Sequence, residues 1–183
     1  EAEEIYAEIL AALSPQHLAC KKVLITAGPT YEAIDPVRGI TNRSSGKMGY
    51  AIAQAAREAG AEVTLVSGPV ALPCPRGVRR ISVQSAQDML QAVQSEVASA
   101  QLFIAAAAVA DWRVANAAAH KLKKDGTGQA PALEFAENPD ILATVAASAR
   151  AQAGQLYCVG FAAESENLES HAKAKRERKG VPL

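Results

Sequence analysis

Lys22-Val23-Leu24-Ile25-Thr26-Ala27 and, after a long polar connection, Ile40-Thr41-Asn42-Arg43-Ser44-Ser45-Gly46-Lys47-Met48-Gly49-Tyr50 are the two stretches that decide the fold. The first is a short apolar run with β-branched residues and reads as a buried strand. The second enters a helix, because Met48, Ile52, Ala55, Ala56 and Ala59 recur at helical spacing and Gly60 follows as a C-cap. Strand, polar loop and helix N-terminus together make a ready anion site. The first helical turn offers unpaired N–H groups and the positive end of the dipole, and Gly46 and Gly49 lack the Cβ that would hold a ligand's oxygens away. A glycine-rich turn that only packs a helix on a sheet is the alternative.

Two familiar phosphate motifs are excluded. A P-loop needs Gly-x-x-x-x-Gly-Lys-Ser/Thr, but Met48 stands at the hydroxyl position and Thr41 at the first glycine. Gly46-x-x-Gly49 supplies only the second half of a dinucleotide fingerprint, and the next strand ends Val66-Ser67-Gly68-Pro69 without the acid that would hold a ribose.

Working outward, the chain has 183 residues, enough for one domain with an appendage. Lysine plus arginine equals aspartate plus glutamate at 19 each, so no global basic field points to nucleic acid and any anion selectivity is local. No apolar run approaches the roughly 20 residues that span a bilayer, and Glu1-Ala-Glu-Glu4 is the opposite of a signal-peptide n-region, so the reading is cytoplasmic, without membrane. Cys20, Cys74 and Cys158 are odd in number and widely spaced, which indicates neither a disulfide framework nor a zinc site. The start at Glu1 rather than methionine suggests a piece of something longer. The stop after Val181-Pro182-Leu183, where an alternating fold would enter another strand, suggests an incomplete domain.

In chain order, Glu1 to Leu13 predicts a helix and Ser14-Pro15 breaks it. Strands are predicted at Lys22–Ala27, Ala61–Ser67, Val78–Val83, Leu102–Ala107 and Gln155–Ala162, with a short one at Leu133–Phe135. Ser85-x-x-Asp88 starts a helix to about Ala98, with Met89, Ala92, Val93 and Val97 facing in. Asn138-Pro139-Asp140 reads as N-cap, N1 proline and first-turn acid of a helix reaching about Ala149, which accounts for all three residues without function. The last helix carries Lys173, Lys175, Arg176, Arg178 and Lys179. Continuous apolar strands alternating with helices predict an α/β protein whose parallel sheet is covered on both sides, with ligands beyond the carboxyl ends of the strands. That rule gathers Gly28–Ser45, Ser67–Pro69 and Ala105–Asp111. The alanines there would let a flat ring lie close to the backbone, or would simply pack against a helix. His120-Lys121-Leu122-Lys123-Lys124-Asp125-Gly126 reads as a flexible lysine loop. What survives is a mononucleotide-shaped crevice with a helix N-terminus, Arg38, Arg43 and two groups of lysines. It suits phosphoryl or nucleotidyl chemistry, where catalysis is mostly positioning and charge neutralisation.

Ile25-Thr-Ala-Gly-Pro-Thr30, Asp35-Pro-Val-Arg38, Asn42-Arg-Ser-Ser-Gly-Lys-Met-Gly49, Val66-Ser-Gly-Pro69, Ala106-Ala-Ala-Val-Ala-Asp111, Lys121-Leu-Lys-Lys124, Asn138-Pro-Asp-Ile141 and Gly160-Phe-Ala-Ala-Glu164 occur in this order. The chain thereby resembles the bacterial phosphopantothenoylcysteine synthetase family over about Lys22 to Lys179. The resemblance implies a three-layer, Rossmann-like, mostly parallel sheet with helices on both faces. It implies that CTP and 4'-phosphopantothenate give an acyl-cytidylate and pyrophosphate, after which L-cysteine attacks and CMP leaves. Mg2+ would accompany the triphosphate, and FMN would belong only to the decarboxylase domain fused in the parent chain of a homodimeric protein. Residues 1–21 would be the linker helix from that domain, and 22–183 the CTP-binding synthetase domain with an incomplete C-terminus.

Carried over position by position, the resemblance makes Asn42 the neutral donor that steadies the acyl oxyanion, Arg38 a contact to the acyl substrate and Lys121 a group closing over the reacting phosphates. It assigns CTP contacts to Ala105, Ala106, Ala107, Asp111, Lys121, Pro139, Asp140, Ile141, Leu142, Phe161, Lys175 and Lys179. Departures are mild: Arg43 where a histidine is often seen, Thr41 before the asparagine and Trp112 after the aspartate. An NADP-dependent oxidoreductase would share the architecture, but Tyr50 and Tyr157 offer no Tyr-x-x-x-Lys. A nucleotide-sensing module would explain the lysines and leave Asn42 idle.

Overall fold

In the computed structural model, residues 2–183 are described apart from 125, 127, 129, 164 and 165, with backbone alone at 3, 4, 7, 10 and 168. Asp125 and Glu164, quoted above within motifs, therefore lie outside the described residues. A five-stranded parallel sheet forms the centre, ordered β5 (Val78–Ser82), β4 (Glu62–Ser67), β1 (Lys22–Ala27), β6 (Leu102–Ala105), β9 (Tyr157–Gly160). α2 (Lys47–Glu58) covers one face, while α3 (Ala86–Glu96) and α4 (Ile141–Ala146) cover the other. α1 (Ala2–Leu13) precedes the sheet, and α5 (Ala149–Gln152) and α6 (Leu168–Lys179) flank β9 in sequence. No helix among the described residues is long and apolar enough to cross a membrane.

The two-sided burial follows from strand alternation. Val23, Ile25 and Ala27 of β1 pack with Tyr50, Ala53 and Ala56 of α2, whereas Leu24 joins Met89 and Val93 of α3 and Val145 of α4. β6 repeats the pattern, with Phe103 on the α3 side and Ile104 on the α2 side. The strand and helix order read from the sequence thus holds, and so does the cap of α3, where Ser85 and Asp88 exchange side-chain-to-backbone hydrogen bonds.

Four details differ from expectation. The buried line of α2 runs through Gly49, Ala53 and Ala56, and Met48 is exposed. A Cβ on Gly49 would lie 2.5 Å from the Ala27 Cβ, so the glycine side is where helix and strand can approach. The connection Gly28–Ser45 contains an antiparallel hairpin, β2 (Tyr31–Ala33) with β3 (Gly39–Thr41). Trp112–Val114 (β7) pairs with Phe135–Glu137 (β8), shifting the short strand later than Leu133. The cap of α4 is Asp140, whose side chain accepts from Ala143 N at 3.0 Å, and α4 ends at Ala146. Beyond α6, Leu183 lies along β9, its carbonyl accepting from Gly160 N at 2.8 Å.

Two opposed effects meet at Gly49. Alanine would gain about 1 kcal/mol of helix propensity, but overpacking against Ala27 costs about 1–3 kcal/mol. The second prevails because neither backbone nor methyl can swing away. Gly49→Ala is predicted to lower the urea midpoint, and a raised midpoint would refute this packing account.

Candidate functional site

A cleft of about 530 Å³ opens at the carboxyl ends of β1 and β6. Its floor is the alanine segment that continues β6, with Ala105 and Ala107 to Asp111 among its lining. Small side chains alone would leave this segment slack. It is instead pinned from three directions. Ala106 N donates to Thr26 O at 3.1 Å and Ala108 N to Gly28 O at 2.9 Å, extending the β1–β6 ladder past the strands. Buried Thr30 donates its N–H to Ala108 O at 3.2 Å and accepts from Ala110 N on its hydroxyl at 2.9 Å. Asn138 donates its backbone N–H to Asp111 O and its side-chain Nδ2 to Ala110 O, both at 2.8 Å.

Asn42, carried into the cleft by β3, holds the same floor. Its Nδ2 donates to Ala108 O at 3.1 Å and to Val109 O at 3.0 Å, so both amide hydrogens are committed to backbone carbonyls. An oxyanion could receive one only in exchange. Asn138, read from sequence as a helix cap, is buried in the cleft wall, and its Oδ1 has no hydrogen-bond partner among the described residues.

The opposite wall comes from the entry of α4 and from α6. Pro139 to Leu142 and Phe161 supply apolar surface there, and Lys175, Arg178 and Lys179 supply positive charge. Lys179 Nζ sits 3.1 Å from Asp140, the residue that caps α4. Trp112 and Phe161, respectively 56% and 51% exposed, stand at the rim as large apolar planes.

Of the residues singled out from the sequence, Asn42, Ala105, Ala107, Asp111, Pro139 to Leu142, Phe161, Lys175 and Lys179 meet in this cleft. Ala106, Arg38 and Lys121 do not line it. Neither does the N-terminus of α2. A Cβ on Gly46 would meet Val70 Cγ1 at 2.9 Å, and the Gly46 and Lys47 N–H groups turn to the Ser44 and Ser45 hydroxyls at 3.3 and 3.4 Å. These glycines serve packing. Thr26, Trp112, Glu137, Asn138 and Arg178 were missed. Thr26 and Asn138 stood inside quoted motifs and Arg178 in the basic run, whereas Trp112 was noted only as a departure and Glu137 carried no signal.

Arg38 lies outside, in the β2–β3 turn, paired with Asp35. The buried Asp35 carboxylate accepts from Arg38 Nε at 3.0 Å and Nη2 at 2.5 Å, from the Val37 and Arg38 backbone N–H groups at 2.8 Å, and from Leu122 N at 3.1 Å. The Arg38 hydrogen bond, opposed by burial and assisted by the three N–H donors, holds this carboxyl well below the usual carboxylate range. A depressed folded-state value means that the contribution to stability is fully present above the ordinary range near pH 4 and is lost as the pH falls below it. The difference in urea midpoint between the protein and Asp35→Asn is therefore predicted to be largest near pH 7 and to shrink toward pH 2. A constant difference would exclude the ionised carboxylate as its cause.

With this geometry in view, the comparison with known proteins is decisive. A family model described as the DNA/pantothenate metabolism flavoprotein C-terminal domain matches residues 18–183. The chain belongs to this family. Among curated relatives, the coenzyme A biosynthesis bifunctional protein CoaBC of Vibrio cholerae is 50% identical over 183 residues, covering 100% of this chain and 45% of the relative. CoaBC of Escherichia coli K12 is 51% identical over 162 residues, 88% of this chain and 39% of the relative. The chain thus spans less than half the length of these relatives. The crystal structure of the C-terminal domain of CoaBC superposes with a TM-score of 0.78 at 44% identity, over 91% of this chain and 76% of that one. The family kinship drawn from the eight ordered motifs is borne out, as is the parallel, helix-covered α/β fold.

Proposed function

We propose that this chain is the domain that ligates 4'-phosphopantothenate to L-cysteine with CTP, through a 4'-phosphopantothenoyl-cytidylate, in coenzyme A biosynthesis. The observation that carries the reading is the division of the cleft. One side is an alanine floor with Trp112 at its rim, and the other presents Lys175, Arg178 and Lys179 beside the Phe161 ring. That division suits a nucleoside polyphosphate, whose ring needs a close apolar surface and whose phosphates need cations. Coenzyme A biosynthesis comes from the relatives' names, and the choice of CTP and cysteine from the motif resemblance.

In the first step a carboxylate oxygen attacks the α-phosphorus and pyrophosphate departs. Both reactants are anionic, so the α6 cations bring them together and lower the repulsion between them. In the second step the cysteine amine attacks the acyl carbon, loses a proton and expels CMP. Asn42 serves here by giving up one carbonyl partner and donating that hydrogen to the tetrahedral oxyanion. Arg38 spends Nε and Nη2 on Asp35 and Leu122 and keeps Nη1 for the acyl substrate. Lys121 meets the phosphates. Asp111 and Asp140 line the cleft, yet no three His, Cys, Asp or Glu side chains among the described residues gather into a metal cage. Mg2+ would be carried mainly by the nucleotide's oxygens, where it would neutralise phosphate charge. The parent protein is proposed to be a cytoplasmic homodimer whose FMN belongs to its decarboxylase domain.

Pyrophosphate release is the test, with CTP and 4'-phosphopantothenate present and cysteine withheld. Release that needs both and is weaker with ATP is expected. Nucleotide binding without release would instead favour a sensing module. Asn42→Asp sets a carboxylate against the Ala108 and Val109 carbonyls, and cysteine-dependent CMP release should fall by roughly 10²–10³-fold. Unchanged release would remove Asn42 from the chemistry.

A further inference from the structure

The β2–β3 hairpin grips a distant segment through main-chain groups. Asp35 Oδ2 accepts from Leu122 N at 3.1 Å, while Arg38 Nη2 donates to Leu122 O at 2.7 Å. Both backbone polar groups of one residue are thereby held by one ion pair. A second tether lies four residues upstream, where Ala118 N donates to Ile34 O at 2.9 Å. The turn making these contacts is itself closed, since the Ile34 and Asp35 N–H groups both donate to Arg38 O, at 2.8 and 3.2 Å. Lys121 immediately precedes the gripped residue. From Arg38 the chain runs through β3 to Asn42, about 13 Å further on at strand rise, and Asn42 is fastened to the cleft floor. One short, doubly anchored arm therefore connects the floor to the backbone beside Lys121.

We infer that Asp35 is a positioning residue, which with Arg38 fixes the Leu122 backbone and so sets Lys121 in register with Asn42 for the phosphates of the nucleotide; this rests on the function proposed above. Charge and geometry both favour such a role. The carboxylate is fully buried and saturated by protein donors, so it does not meet substrate itself. Its grip is on main-chain atoms and leaves the lysine side chains unhindered. A lysine on an untethered loop would lose rotational and translational freedom on each binding event, and a clamped backbone removes much of that loss beforehand.

The test uses the protein at its natural length. Asp35→Asn keeps the shape but turns an N–H group either toward Arg38 and Leu122 or toward the Val37 and Arg38 N–H groups. Expected are a folded protein by circular dichroism, amide exchange at Leu122 at least ~10-fold faster, and a lower kcat for pyrophosphate release with KM for CTP less affected. Lys121→Gln should lower kcat by itself and add little in the Asp35→Asn background, because both changes remove one contribution. Should Asp35→Asn fail to fold, Arg38→Leu, which removes every side-chain donor to Asp35 and Leu122, is expected to give the same pattern. Unchanged exchange at Leu122, unchanged kcat, or losses that multiply fully in the double variant would each overturn the inference. Absence of turnover in the unsubstituted protein would remove the function reading and this inference with it, whereas turnover with fully multiplied losses would remove the inference alone.

Discussion

Parallel pairing of β1 with β6, prolonged beyond both strands by the Ala106–Thr26 and Ala108–Gly28 hydrogen bonds, is the constraint on which the site depends. It lays an alanine backbone beside the start of the Gly28–Ser45 connection. Thr30 and Asn42 approach the floor from the hairpin side and Asn138 from the β8–α4 side, so the carbonyls of Ala108, Val109, Ala110 and Asp111 all find donors. A run poor in side-chain interactions becomes rigid because its main chain is satisfied, and the cleft keeps a smooth face of methyl groups.

The two faces of the sheet divide the labour. Glycine lets the backbone close up around β1: Gly49 of α2 sits on Ala27, and Gly68 passes so near Pro29 that a Cβ would stand 1.7 Å from its carbonyl oxygen. The α3 and α4 face carries the larger side chains, including Phe103, Met89 and Leu142, and Leu142 also reaches the cleft. The cleft surface is thus continuous with the core on the α3 and α4 side.

What could be read from the sequence was whatever announces itself locally. β1 and β6 are unbroken apolar runs, and the Ser85–Asp88 box is a cap whose partners are three residues apart, so periodicity and short-range chemistry sufficed. The β2–β3 hairpin was hidden because three-residue strands have no period, and because its anchors are distant: Tyr31 N donates to Gln84 O, and Glu32 accepts from Ala86 N. Asn138-Pro139-Asp140 supports two cap registers on paper. The backbone chooses Asp140 because the Asn138 amide is drawn to Ala110 O, a preference that exists only once β7 and β8 have paired. Lys175, Lys179 and the alanines were candidates on residue chemistry, and motif resemblance made CTP contacts of them. Arg178 and Trp112 were indistinguishable from solvated charge and ordinary strand surface. Gly46 and Gly49 pack closely on Val70 and Ala27, and a glycine that admits a ligand and one that admits a helix look alike until the neighbour is known.

The contact between Lys179 and Asp140 carries one more implication. This ammonium has an internal counterion 3.1 Å away. An arriving anion therefore trades places with a carboxylate rather than with loosely condensed ions from solution. Fewer small ions are released than the number of cations on α6 would suggest, so the affinity of the cleft for an anion should respond to ionic strength less steeply than a bare cluster of three positive charges. The displaced carboxylate also remains on the cap of α4, where the helix dipole and Ala143 N–H still hold it.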